Sequence, residues 1–279
     1  MKINFNNFVY NASGVHCTTL KDLQELDNCK FVDAVLSKTC TLQPRTGNPQ
    51  PRYFSDGLGS INSTGLANLG IDQYLTFVAK NKPYIISIAS VDTDDDYYTL
   101  LEKIRDCENV NGIEINVSCP NIVGKPQLGY DFERLDSLLK GVQTRMATAS
   151  QTLGIKLPPY MDTAHYERVA KIINKYPVIK FIVCCNSIGN CLLLHNGVQT
   201  IMPNNGLGGL GGVYVKPLCL ANVKIFGNLL NDDIQIIGCG GISTKHDIND
   251  YHSVGAAGVQ IGTFLYENGL SGMERFADP

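Results

Sequence analysis

No stretch of the chain approaches the roughly 18 consecutive apolar residues that a membrane-spanning helix needs. The residues after Met1, Lys2-Ile3-Asn4-Phe5-Asn6-Asn7, hold no apolar signal-peptide core either. A cytoplasmic protein with no membrane attachment is therefore expected. Ten cysteines are present, but no two form a Cys-x-x-Cys pair and their spacing is irregular, so reduced thiols are expected rather than a disulfide framework. The five histidines (His16, His165, His195, His246, His252) are scattered, none four residues from another, and no metal site is expected. Excess charge is missing too. The 23 Lys and Arg against 26 Asp and Glu leave a net charge of −3, without the basic surplus of a broad nucleic-acid surface, while a local basic pocket for a small anion stays open. No Gly-x-Gly-x-x-Gly run follows the first apolar strand, so a dinucleotide held in a Rossmann unit is not expected.

What remains is a chain of 279 residues, 44% hydrophobic, long enough for a substantial core and uninterrupted by any Ser/Gly linker. Eight apolar β-type runs alternate with segments of helical spacing. The runs are Phe8–Ala12, Ala34–Thr39, Tyr84–Ala89, Gly112–Ser118, Gly154–Leu157, Phe181–Asn186, Ile234–Gly238 and Val259–Gly262. Helices are expected near Leu20–Asn28, Ile71–Asn81, Thr93–Cys107, Phe132–Ala147, Ala164–Tyr176, Leu218–Leu230, Lys245–Ser253 and Leu265–Phe276, with Asp131, Asp162 and Thr244 as N-caps. This alternation predicts an α/β (β/α)₈ TIM barrel forming one domain over 1–279, with a doubly wound open sheet as the alternative. The connections Cys40–Leu69 and Gly189–Lys216 exceed simple turns and are expected to form lids or walls over the C-terminal face. A third loop, Pro120–Tyr130, carries Gly124, Pro126 and Gly129 and suits a flap.

The densest chemistry lies at Ile113-Glu114-Ile115-Asn116-Val117-Ser118-Cys119-Pro120-Asn121, an apolar strand ending in polar and nucleophilic side chains. Proline stops the ladder and biases its predecessor toward extended backbone, which places Cys119 at the strand's C-terminal edge, where barrels keep their catalytic groups. A lone cysteine is more often a small buried hydrophobe, and the flanking asparagines weigh against that reading here. Near the seventh and eighth strand ends, Gly238-Cys239-Gly240-Gly241 and Gln260-Ile261-Gly262-Thr263 match the place where barrels hold phosphate on backbone N–H groups, and FMN fits such a tandem best. Lys38 and Lys156 sit inside apolar strands, which is costly unless an ammonium meets an anion. Asn62, Asn116, Asn121 and Asn186 fall at strand ends or beside them, and amides suit a planar substrate edged with carbonyl and N–H groups, although asparagine is also an ordinary turn residue.

Together with Asn11-Ala12-Ser13-Gly14-Val15, Ser37-Lys38-Thr39, Gly47-Asn48-Pro49-Gln50-Pro51-Arg52, Lys156-Leu157-Pro158-Pro159 and Asn186-Ser187, these motifs resemble the dihydroorotate dehydrogenases from about Asn11 to Thr263. Cysteine at 119 resembles the soluble class 1 enzymes, and Leu58-Gly59-Ser60-Ile61-Asn62-Ser63 resembles the 1A branch of cytosolic homodimers that reoxidise FMN with fumarate. The resemblance implies that dihydroorotate stacks on FMN and becomes orotate, with Cys119 as base and fumarate reduced to succinate. It implies a substrate site of Lys38, Asn62, Ser63, Thr64, Gly65, Leu66, Asn116, Asn121, Asn186 and Ser187. It implies an FMN site of Ala12, Ser13, Gly14, Lys38, Thr39, Asn116, Lys156, Cys185, Gly211, Gly212, Gly240, Gly241, Gly262 and Thr263.

Three departures from the family pattern stand out. Thr64 and Ala67 occupy places where the family usually has methionine and proline, and the chain stops at Ala277-Asp278-Pro279, so the eighth helix is expected to be incompletely covered. Two competing readings are a tRNA-dihydrouridine synthase and an inactive flavin-binding barrel. The first calls for a basic face and an added helical domain, which the charge and length do not offer. The second leaves Cys119, two lysines and four asparagines without a physical reason.

Overall fold

The computed structural model describes residues 2–14, 16–118 and 127–276. In chain order the elements are β1 (Val9–Asn11), α1 (Leu20–Asn28), β2 (Val35–Leu36), β3 (Tyr53–Ser55), β4 (Gly59–Asn62), α2 (Ile71–Leu75), β5 (Tyr84–Ile88), α3 (Asp94–Arg105), β6 (Gly112–Asn116), α4 (Phe132–Met146), β7 (Thr152–Lys156), α5 (Thr163–Ile173), β8 (Ile179–Cys184), β9 (Ile188–Leu192), β10 (Leu194–His195), β11 (Val198–Gln199), β12 (Leu207–Gly212), α6 (Lys216–Leu229), β13 (Gln235–Cys239), α7 (Lys245–Ser253), β14 (Gly258–Ile261) and α8 (Thr263–Gly272).

Eight of these strands form one parallel sheet in the order β1-β14-β13-β8-β7-β6-β5-β2, rolled into the expected TIM barrel. Its seam is closed by one backbone bond, from the Asp33 N–H to the Val9 carbonyl at 2.9 Å, and by a side chain. The Asn11 amide donates to the Leu36 carbonyl at 2.7 Å and accepts from the Leu36 N–H at 3.0 Å, doing between β1 and β2 what a ladder does elsewhere. Because successive strand residues face opposite ways, the barrel has two cores. Ile113 and Ile115 of β6 point outward into the large cluster shared with the helices. Phe5, Tyr10, Leu36, Ile85, Phe181 and Ile237 fill the interior. Gly154 makes room inside, since a Cβ there would lie 2.4 Å from the Phe181 ring.

The helices form for local reasons. In α3 a Thr93–Asp96 capping box and three first-turn acids face the positive end of the helix dipole, Lys103 and Arg105 face the negative end, and Tyr97, Leu100, Leu101 and Ile104 bury one stripe. The Tyr97 hydroxyl then donates to the Asn116 carbonyl at 2.9 Å, fixing the end of β6. Asp131, Asp162 and Thr244 cap α4, α5 and α7 as expected.

Four expectations need correction. The helix expected over Ile71–Asn81 stops at Leu75, because the amides of Lys80 and Asn81 are captured by the buried Asp27 carboxylate. The helix expected to run to Phe276 breaks at Gly269, whose φ of 63° is non-helical, and continues as a 3₁₀ turn from Met273. The strand expected over Ala34–Thr39 narrows to two residues, since the Lys38 amide turns away to the Cys17 carbonyl. The two long connections are not plain loops. They supply a second, antiparallel sheet in the order β3-β4-β12-β9, which lies over the C-terminal mouth. Among the described residues, no helix is long and apolar enough to cross a membrane.

Candidate functional site

Between the barrel mouth and this roof lies a cavity of about 660 Å³. One end is built of glycine. Gly240 and Gly241 leave β13 with φ of 130° and 67°, a conformation that side chains resist. Gly262 leads directly into α8, whose first turn has no side-chain cap. A helix start whose N–H groups lack an internal acceptor offers them to an anion. A Cβ added at Gly262 would meet nothing closer than Ala12 Cβ at 3.7 Å, so the space before that turn is open. Gly211, from β12 of the roof, faces the same end, where Ser60 and Thr263 share a hydroxyl hydrogen bond of 2.8 Å.

The other end is polar because of strand register. Ser87 of β5, Glu114 and Asn116 of β6, Lys156 of β7 and Gln260 of β14 all point into the upper barrel, above the apolar interior layer. Lys156 is buried, and its ammonium donates to Gln260 Oε1 at 2.8 Å and reaches Cys239 Sγ at 3.9 Å. Burial alone would lower its pKa, but the neighbouring Cys239 and the Glu114 carboxylate outweigh that and hold it above the ordinary lysine value. Lys156 therefore carries its charge at neutral pH. Burial pushes the Cys185 and Cys239 thiols up, so neither supplies a base. Lys38 also lines the cavity and is 7% exposed.

Hydroxyls and amides connect the rest. Ser13 meets Thr39 at 2.8 Å and Thr39 meets Ser87 at 2.9 Å. Asn116 donates to Thr39 at 3.4 Å, and Asn186 donates to Asn116 Oδ1 at 3.3 Å and to the Ser118 carbonyl. Asn62, from β4, donates to the Gly209 carbonyl at 3.1 Å. Ser118, the last described residue of its segment, donates to Gln127 Oε1 at 2.9 Å, so the two ends flanking residues 119–126 are tied together at the cavity.

Most residues expected at the site line this one cavity: Ala12, Ser13, Gly14, Lys38, Thr39, Asn62, Thr64, Leu66, Asn116, Lys156, Cys185, Asn186, Ser187, Gly211, Gly212, Gly240, Gly241, Gly262 and Thr263. Ser63 and Gly65 do not. The Ser63 hydroxyl and carbonyl accept from the Asn48 amide at 3.2 and 3.0 Å, and Gly65 packs against Asn48, so both sit behind the wall. Cys119 and Asn121 lie outside the described residues. Thr64 and Ala67, the departures in the loop, both face the cavity. Sequence reasoning missed Gln50, Arg52, Tyr53, Ser60 and Tyr266 on the walls: Gln50 and Arg52 lie in a loop with no periodic signal, and Tyr53 of β3, Ser60 of β4 and Tyr266 of α8 carry no misplaced charge to mark them. It also passed over Glu114, although an acid inside an apolar strand carries the same signal that singled out Lys156.

The family model for dihydroorotate dehydrogenase matches residues 1–278. A probable dihydroorotate dehydrogenase A (fumarate) of Streptococcus pneumoniae is 43% identical over 280 residues, covering 98% of this chain and 88% of that one. Dihydroorotate dehydrogenase A (fumarate) of Lactococcus lactis subsp. cremoris is 44% identical, covering 97% and 88%. A crystal structure of DHODH from Eimeria tenella in complex with ferulenol superposes with a TM-score of 0.77 at 20% identity, covering 96% of this chain and 78% of that one, a likeness of fold.

Proposed function

The chain belongs to the dihydroorotate dehydrogenase family, and on that premise we propose that it oxidises dihydroorotate to orotate, with FMN as its flavin, Cys119 as general base and fumarate as electron acceptor. The observation that carries this reading is the meeting, in one cavity, of a backbone anion cradle with two lysines and a row of amides. The family implies a flavin, and the residues fit one that bears a phosphate. The N–H groups at Gly240, Gly241, Gly262 and Thr263 suit the phosphate, and Ala12, Ser13, Gly14, Thr39, Cys185, Gly211 and Gly212 would line the remainder. When bound, FMN supplies the hydride acceptor.

Dehydrogenation of a carbon–carbon bond takes a proton from one carbon and a hydride from its neighbour. The proton goes to Cys119 Sγ, since an ordinary cysteine thiol, with a pKa of about 8.5, suits general-base work near neutral pH. Asn186 and Gln127 hold Ser118, the residue from which Cys119 follows. Asn62, Asn116, Asn121, Asn186 and Ser187 hold the pyrimidine and its carboxylate, with Thr64 and Leu66 as wall and Lys38 between substrate and flavin. Lys156 offers positive charge where negative charge accumulates. Ser63 and Gly65 act one step back, by supporting Asn48.

Fumarate, a small dicarboxylate, fits the space orotate vacates and meets the same donors, with Cys119 returning its proton. One site then serves both half-reactions, and the kinetics are ping-pong. In this reading the whole chain is one FMN-binding barrel unit of the cytoplasm. It pairs as a homodimer, for which the exposed Leu192, Leu194, Val198 and Met202 supply apolar surface. Anaerobic dihydroorotate is expected to bleach the bound flavin and fumarate to restore it, with parallel double-reciprocal lines. Intersecting lines, or turnover with NAD or a quinone but none with fumarate, would overturn the assignment of the acceptor.

A further inference from the structure

Glu114 is fully buried inside the barrel, one layer below Asn116, and does not line the cavity. Its two oxygens are occupied. Oε1 accepts from the Ser87 hydroxyl at 3.2 Å, and Oε2 accepts from Gln260 Nε2 at 2.6 Å. Both donors are neutral, and a buried carboxylate is expensive to keep unless a cation stands near it. The cation is one amide away. Gln260 Oε1 accepts from the Lys156 ammonium at 2.8 Å, so a single side chain joins acid to base.

That arrangement fixes the Gln260 amide, because its oxygen must face the ammonium and its NH₂ the carboxylate. The Tyr10 hydroxyl, 3.2 Å from Gln260 Nε2, adds a further polar contact. An ammonium has three donors; Gln260 and Cys239 take two among the described residues, leaving one for the cavity that Lys156 lines.

We propose that Glu114 is a positioning residue for the redox chemistry: through Gln260 it holds Lys156 in place and offsets part of its charge, setting how strongly the site favours reduced over oxidised flavin. The proposal rests on the flavin reading above. A free ammonium beside the flavin would bind the negatively charged reduced form too tightly for easy electron release. A buried anion behind it tempers that preference, and the fixed amide keeps the ammonium from swinging toward the acid.

The test uses the flavin-loaded protein and measures the midpoint potential of Glu114→Gln, which keeps the hydrogen-bonding shape and removes only the charge. The expected result is about a tenfold rise in preference for the reduced form, an upward shift of about 30 mV for a two-electron couple. In a Lys156→Met background the same substitution should shift the potential far less. No shift, a downward shift, or an equal shift in both backgrounds overturns the proposal.

The same cycle in flavin-free protein, followed by urea unfolding, keeps the pairing testable if a variant loses its cofactor. Each single variant should unfold at lower urea and the double variant should recover. Additive losses overturn the pairing. A parent protein that takes up no flavin would defeat the functional reading, while the urea cycle would still decide whether Glu114 and Lys156 act as a pair.

Discussion

Asp247 is the third residue of α7 and pairs with Lys216, whose Cβ packs against Gly241, so its removal tests how that turn is held. One carboxylate oxygen accepts from the Ser243 and Thr244 amides at 2.9 and 2.8 Å and from the Ser243 and Thr244 hydroxyls at 3.2 and 2.8 Å; the other pairs with Lys216. In Asp247→Asn, an oxygen placed for the four donors turns an NH₂ toward the Lys216 ammonium. Breaking a fully buried pair costs about 3–5 kcal/mol. Here the side chains are 13% and 18% exposed and Lys216 keeps Asp250 at 2.6 Å, which brings the expected cost to about 2 kcal/mol. At about 2–4 °C per kcal/mol for a domain approaching this size, the melting temperature should fall by roughly 5 °C.

The same residue gives a pH signature. Burial alone would raise its pKa, yet the Lys216 ammonium and the Ser243 and Thr244 donors hold it well below the usual carboxylate range. A depressed folded pKa means that the unfolded chain takes up the proton first. The stabilisation is therefore full above the ordinary aspartate value of about 3.9 and is lost as pH falls below it toward the folded value. Urea unfolding of parent and variant between neutral pH and about pH 3 should show a gap that is constant down to about pH 5 and then closes. A gap below about 0.5 kcal/mol at neutral pH, or one that persists unchanged in acid, would refute the reasoning.

Cys119→Ala should keep its flavin and lose anaerobic flavin reduction by the roughly 10²–10⁴-fold expected of a general base; near-normal reduction would place the base elsewhere. Gly154→Ala should destabilise the barrel by about 1–3 kcal/mol in urea, since the new Cβ lies 2.4 Å from the fully buried Phe181 ring, and no loss would show that the interior can yield. Thr64→Met combined with Ala67→Pro should change the KM for dihydroorotate and fumarate together with the flavin spectrum unmoved, because both positions face the cavity; a change for one substrate alone would mean two binding modes.

The barrel was legible because its strands are apolar runs separated by capped amphipathic helices, and all eight appear near their expected places. Most of the cavity lining was legible through misplaced polarity: lysine in a strand, glycine at strand ends. The roof was not. Leu207-Gly208-Gly209-Leu210-Gly211-Gly212 pairs with β4 and β9 through its backbone, and a strand so rich in glycine has no side-chain alternation to read. The break at Gly269 and the early end of α2 escaped for a related reason, as each depends on tertiary partners or on one backbone angle rather than on composition. Ser63 and Gly65 lie off the cavity that Thr64 and Leu66 line, because adjacent loop residues share a motif but not a facing direction.

The roof also carries a consequence for how the protein comes into being. One of its contacts, Asn62 to Gly209, joins residues 147 positions apart, whereas β2, β5, β6, β7 and β8 pair with strands of neighbouring units, and β1 with β14 closes the barrel across nearly the whole chain. Contacts between distant residues form late, because the intervening loop must be closed before they can stabilise anything. On a ribosome that delivers the N-terminal part first, strands β1 to β8 are out and available for pairing while the cavity still lacks its cover. A nascent chain that stalls before Gly212 lacks the closing strands β13 and β14 as well as the full roof, and so presents an unclosed sheet with open edges to whatever meets it.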